Sequence, residues 1–130
     1  MHKFTNLVGR ILIAQIFLIA GINKIGGYAA TQGYMEAMGV AGGLLPLVIA
    51  LEIGGALALI AGWQTRIVSL ALAGFTVLSA LIFHADFADQ TAMIMLMKNL
   101  AIAGGLLLLA AHGMQGTISI DNRSRLQANS

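Results

Sequence analysis

The segment LPLVIALEIGGALALIAG, residues 45–62, is apolar throughout except for one carboxylate, Glu52. Three other ionisable side chains, Lys24, His84 and Lys98, also sit in or at the edge of apolar runs. A lysine donates a hydrogen bond to a carbonyl, phenolate or small oxyanion, while a carboxylate or histidine beside it exchanges a proton. This set of groups suits an oxygen-bearing ring or a small anion. Glu52 and Lys98 are the catalytic candidates, with Lys24 and His84 at the mouth of the pocket. The same groups can instead do no more than fix helix register, which interhelical polar contacts do at ~0.6–2 kcal/mol each. An ionised group in hydrocarbon costs ~2.5–3.5 kcal/mol or more, and this favours a functional role over a purely structural one.

The elements that must position these residues follow from composition. Of 130 residues, 58% are hydrophobic and 9% charged, with a mean hydropathy of +0.88. A soluble domain carries roughly a quarter charged residues, so lipid must be the solvent for much of this chain. Four apolar runs, about 7–26, 44–62, 67–84 and 92–111, each approach the ~20 residues a helix needs to cross the hydrocarbon core. They are continuous rather than alternating, which argues against a membrane β-barrel. The expected fold is all-α, a single domain built as an integral membrane four-helix bundle. The first run has Lys3 and Arg10 ahead of an apolar centre, as a signal peptide would. It continues through Gly21 to Lys24 without an A-x-A site, and is therefore read as a retained span.

Helical spacing gathers the polar residues. Arg10, Ala14, Phe17, Gly21 and Lys24 recur at intervals of three and four and so share one face. The same reading gives Glu52, Gly55, Ala56, Leu59 and Gly62 in the second span, and Arg66, Ser69, Ala73, Ala80 and His84 in the third. In the fourth it gives Lys98, Ala101, Gly105 and His112. Small residues allow close helix approach, so these faces should point inward. Glu52 and Lys98 each lie about seven or eight residues, ~12 Å, inside their spans. Glu52 is therefore expected to meet Lys98 or Lys24. Gln15 and Asn99 fall off the main faces and are assigned to contacts between helices. Met93, Met95 and Met97 are assigned to packing.

Lys3, Arg10, Arg66, Arg123 and Arg125, five of the seven basic residues, fall on the side of the two termini and the 63–66 turn. The positive-inside rule places both termini in the cytoplasm. At that end Arg10 and Arg66 can snorkel to headgroups. The outer connection GGYAATQGYMEAMGVAGG predicts a short helix at the membrane surface, either an interfacial anchor or a lid. The polar tail DNRSRLQANS predicts a frayed end.

No cysteine is present, which removes disulfides, thiolate metal sites and iron–sulfur clusters. His84 and His112 lie at opposite ends of their spans, so no haem is expected. No carboxylate–histidine cluster predicts a metal, and a net charge of +2 argues for no nucleic-acid partner. Electrons, if the protein handles them, must come from a diffusible quinone or a partner redox subunit.

An ordered set of residues from about 7 to 121 resembles the DoxX family of small bacterial membrane proteins. It comprises Arg10, FLIAGINK with Phe17, Gly21 and Lys24, LEIGG around Glu52, GWQTR with Arg66, His84, and SID at 119–121. The segment GGYAATQGYMEAMGV looks like enterobacterial inner-membrane members. The resemblance implies a four-helix bundle in the bacterial inner membrane. It also implies a link to thiosulfate:quinone oxidoreductase subunits, redox-stress membrane complexes and responses to catechols or quinones. Arg10, Phe17, Lys24, Arg66 and His84 then become binding candidates, for a quinone or another phenolic or anionic ligand. The alternatives are a carrier for a small anion or phenolic compound, or a scaffold subunit of a membrane complex.

Overall fold

The computed structural model describes residues 2–83, 88–112 and 117–128. The described chain forms α1 (His2–Gly26), α2 (Tyr28–Ala37), a 3-10 turn (Gly42–Leu44), α3 (Leu45–Ala61), α4 (Thr65–Phe83), α5 (Gln90–His112) and α6 (Ile120–Ala128). No strand occurs among the described residues. Four of these helices are long and apolar enough to cross a membrane, with windows Lys3–Gly26, Gly42–Ala61, Thr65–Ile82 and Gln90–His112. The protein is an all-α membrane bundle.

Glycines set where two helices stop. Gly39 and Gly62 have φ of +81° and +73°, a left-handed conformation that costs glycine little. At Gly62 the N–H bonds the Leu59 carbonyl and the next N–H, of Trp63, reaches back to the Ala58 carbonyl. At Gly39 the same pattern links Gly39 to Glu36 and Val40 to Met35. Both are Schellman endings, which satisfy carbonyls that the helix leaves without partners. Pro46 lies in the first turn of α3, where its missing N–H breaks no helical bond.

The spans pack as two pairs, α1 with α3 and α4 with α5, with α3 and α4 joining the pairs and α1 and α5 touching over a short stretch. Ala14, Ala56, Ala73 and Ala103, one alanine from each span, sit in the core with Phe17, Leu59, Leu72 and Leu106. Such small side chains bring backbones close, because lipid provides no hydrophobic drive for helix association and packing must supply it. At Gly21 the approach of α1 to α3 is so close that an added Cβ would lie 2.6 Å from Ile53.

The polar tail departs from the expectation of a frayed end. Residues Ile120–Ala128 form α6, and the Ser119 hydroxyl caps it by accepting from the Asn122 N–H at 3.0 Å. That is the usual N-cap arrangement.

Candidate functional site

The polar residues form two assemblies, one at each end of the bundle. The first lies where the termini and the α3–α4 turn meet. Arg10, 1% exposed, donates from Nε to Asn6 Oδ1 at 2.8 Å. Its Nη1 donates to the Leu59 and Ile60 carbonyls at 3.0 and 3.2 Å, and its Nη2 to the Ile118 carbonyl. The Asp121 carboxylate accepts from the Gln64 and Thr65 N–H groups, both at 2.8 Å. It thus caps α4 from a distant part of the chain, where a negative charge also suits the helix dipole. Arg66, itself exposed, donates from Nε to the Ala110 carbonyl at 3.0 Å, near the end of α5. Arg10 and Arg66 therefore do not simply snorkel. Arg10 donates to three carbonyls and to Asn6, and Arg66 to one carbonyl, and neither lines the main cavity.

The second assembly lies at the opposite, α2 end. There the two helix pairs diverge around a cavity of about 490 Å³, within the size range of small-molecule sites. Its wall is mainly apolar, with Phe17, Val48, Phe75 and Ile102 among its residues. Polar groups enter at a few points: Lys24 of α1, Glu52 of α3, Thr76 and Ser79 of α4, and Asn99 of α5, with Thr31 and Tyr34 of α2 above. Lys24 Nζ stands 2.7 Å from Glu52 Oε1, with side-chain exposures of 27% and 4%. The contact is short, yet it falls outside aligned hydrogen-bond geometry, so Oε1 is charge-compensated without a formed hydrogen bond. The Thr76 hydroxyl is already committed to the Leu72 carbonyl at 2.7 Å.

Chain geometry puts these groups together. Lys24 and Phe17 stand about two turns apart on the inner face of α1, and Glu52 stands on that of α3, as helical spacing predicts. Gly21, between Phe17 and Lys24, brings α1 against the Cβ of Glu52, 3.4 Å from where its own Cβ would be. Lys24 is thus the partner of Glu52. Lys98 is not, because it lies on the exposed face of α5. The buried face of that helix runs through Leu96, Ala103, Leu106 and Ala110, and Asn99 continues it at the right spacing. Of the expected face through Lys98, Ala101, Gly105 and His112, only Gly105 is half-buried, its added Cβ meeting Ile13; the buried face is offset from the other three by about one residue, a rotation of about 100°. Asn99, assigned in sequence to helix contacts, is the polar residue that α5 turns to the cavity, between Met95 and Ile102. His84, proposed for the mouth, lies outside the described residues.

The short helix α2 covers this end. Met35 is buried, Gln32 Nε2 donates to the Gly42 carbonyl at 3.3 Å, and an added Cβ at Gly42 would lie 2.5 Å from the Glu36 carboxylate. Glycine at this position is what lets α2 fold back over the bundle.

Comparison with known proteins decides the family. Residues 5–85 match the family model for DoxX, a range that spans both Lys24 and Glu52. The chain belongs to the DoxX family. It is 56% identical over 115 residues to inner membrane protein YqjF of Escherichia coli (strain K12), covering 88% of each chain. It is 35% identical over 125 residues to inner membrane protein YphA of the same organism, covering 90% of this chain and 88% of that one. No solved structure matches. Within this DoxX chain, the matched range carries α1 to α4 and most of the cavity wall, whereas α5 with Asn99 lies beyond it.

Proposed function

We propose that this DoxX protein is a quinone-binding subunit of an inner-membrane oxidoreductase, holding the ring of a quinone or catechol in the cavity at the α2 end. The observation that carries the reading is the Lys24–Glu52 pair in the wall of a cavity otherwise lined by aromatic and aliphatic groups. The ring packs against Phe17 and Phe75, and the Lys24 ammonium donates to a ring oxygen and stabilises negative charge developing there. The Glu52 carboxyl exchanges a proton with that oxygen, and Asn99 offers a neutral donor and acceptor from the opposite helix pair. Quinone reduction takes two electrons and two protons to give the hydroquinone. The electrons come from a flavin or iron–sulfur centre of a partner subunit, and this chain supplies binding and proton exchange. The excess of basic residues at the terminal end supports a cytoplasmic location for both termini, and with that orientation the cavity lies in the outer half of the bilayer.

The test is titration of ubiquinone and menaquinone analogues against purified protein in nanodiscs, followed by ring absorbance or protein fluorescence. Lys24→Met and Glu52→Gln each weaken binding tenfold or more. Equal affinity in both variants removes the proposed roles. Uptake of phenolic compounds into liposomes without any redox change would assign the protein as a carrier instead.

A further inference from the structure

The walls of the cavity differ in what they face. Toward the terminal end the space is stopped by the packed core of Ala14, Ala56, Leu59, Leu72, Ala103 and Leu106. Toward the other end α2 lies across it, contributing Thr31, Tyr34 and Met35 to the wall and tied down by the Gln32–Gly42 bond. Its sides are different. Ile16 of α1 and Met95 of α5 line the cavity and yet are 45% and 41% exposed. Leu44 and Leu78, on the α3 and α4 side, also line it while exposed. All four belong to candidate membrane-spanning windows, so whatever part of them faces out of the bundle faces hydrocarbon.

The seam between α1 and α5 shows how the opening arises. Nearer the terminal end the two helices touch, and an added Cβ at Gly105 would lie 3.4 Å from Ile13 Cδ1. One turn further along, Ile16 and Ala20 on α1 and Ile102, Asn99 and Met95 on α5 border the cavity. The helix pairs are held together at the Arg10–Asp121 end and diverge from it.

We propose that the cavity is reached sideways from the bilayer, and that its ligand is a membrane-dissolved amphiphile. The oxygenated ring lies at Lys24 and Glu52, and the long apolar tail leaves between Ile16 and Met95 into lipid. This rests on the quinone-binding reading above and narrows it: the ligand class is a tail-bearing quinone, and a water-soluble catechol is excluded. A ligand coming from water meets α2 lying across this end. One coming from the bilayer passes only aliphatic side chains, which reorient on fast timescales.

The absence of cysteine makes the test clean. One variant carries Ile16→Cys and Met95→Cys, and a second carries Gln32→Cys and Gly43→Cys, Gly43 being a site where an added Cβ meets nothing within 4 Å. Each is treated with a short bifunctional maleimide, the first locking the lateral seam and the second locking α2 down. Binding of a decyl-bearing benzoquinone to protein in nanodiscs is then followed by stopped flow, with the untreated variants as controls. Locking the seam slows association tenfold or more, and locking α2 leaves the rate within twofold. The opposite pattern, with association lost on locking α2 and unchanged on locking the seam, overturns the lateral route while leaving the quinone site standing. If the untreated protein binds no quinone of any tail length, the proposed function itself fails and this inference with it.

Discussion

The Lys24–Glu52 pair predicts an asymmetry between its two halves. Glu52 is buried, with 4% of its side chain exposed, whereas Lys24 keeps 27% and stands two residues from the end of α1 at Gly26. Replacing lysine, in Lys24→Met, leaves a carboxylate in the bundle without its counter-charge, a change that costs about 3–5 kcal/mol. Replacing the carboxylate, in Glu52→Gln, leaves a lysine that can turn toward the α2 end and hydrate its ammonium. Its loss is nearer that of an exposed pair, up to about 1 kcal/mol. The double variant holds no buried charge and should resemble Glu52→Gln alone. The order of stability is therefore wild type, then Glu52→Gln together with the double variant, then Lys24→Met, with a coupling of about 3–5 kcal/mol between the sites. Reversible unfolding in mixed micelles by SDS titration, read by circular dichroism, measures all four proteins. If the single variants are equally destabilised, or if the double variant is as unstable as Lys24→Met, Glu52 is not a buried charge neutralised by Lys24, and the account of the site fails.

The terminal end gives a second expectation. Arg10→Met leaves the Leu59, Ile60 and Ile118 carbonyls without the guanidinium, at about 1–3 kcal/mol for each carbonyl that water does not reach. Amide exchange at Asp121, whose N–H bonds the Gly62 carbonyl at 2.9 Å, should accelerate at least tenfold, with Arg10→Lys intermediate because a single ammonium cannot span those acceptors. On α5, Lys98→Met should leave quinone-analogue affinity within twofold, since Lys98 faces outward. Asn99→Leu should weaken it severalfold in the same nanodisc titration.

Which parts were legible in the sequence follows from contrast. The faces of α1, α3 and α4 stand out because each mixes small or polar residues with bulky aliphatics on the other sides. Phe17, Lys24, Glu52 and Ser69 sit where the spacing puts them. α5 lacks that contrast. It carries Ala101, Ala103, Gly104 and Gly105 within one stretch of chain, so small residues occur on several sides, and lipid is as apolar as a core of leucine. Lys98 then decided the phase, and it decided wrongly. A lysine ~12 Å inside a span can lean toward the N-terminal end of its own helix and reach the interface, so a charge by itself does not mark the inner face. Arg10 was hidden for another reason. Its acceptors Leu59, Ile60 and Ile118 are backbone oxygens 49 to 108 residues away, and a backbone carbonyl leaves no mark in the sequence. By contrast the N-cap of α6 is written in Ser119-Ile120-Asp121, and the frayed-end reading gave too much weight to the polarity of the tail.

The two ends of the bundle differ in a way that supports the proposed site. At the terminal end, Arg10 and Asp121 spend their hydrogen bonds on backbone groups of this chain and on Asn6, and what remains among the described residues is a pair of fully buried hydroxyls, Thr65 and Ser69. A guanidinium bound to three carbonyls has one direction left to offer a ligand, and it is 1% exposed. At the α2 end the balance reverses. Lys24 and Glu52 hold each other at 2.7 Å but retain donors and acceptors that the fold does not use, and the space beside them is apolar and of ligand size. A pair needed only for helix register would be better served by a filled interior, since a cavity sacrifices packing energy that the helix pairs need. Divergence of the helices at that end, held by the knot at the other, therefore makes sense as the means of keeping a buried charge pair next to room for a molecule.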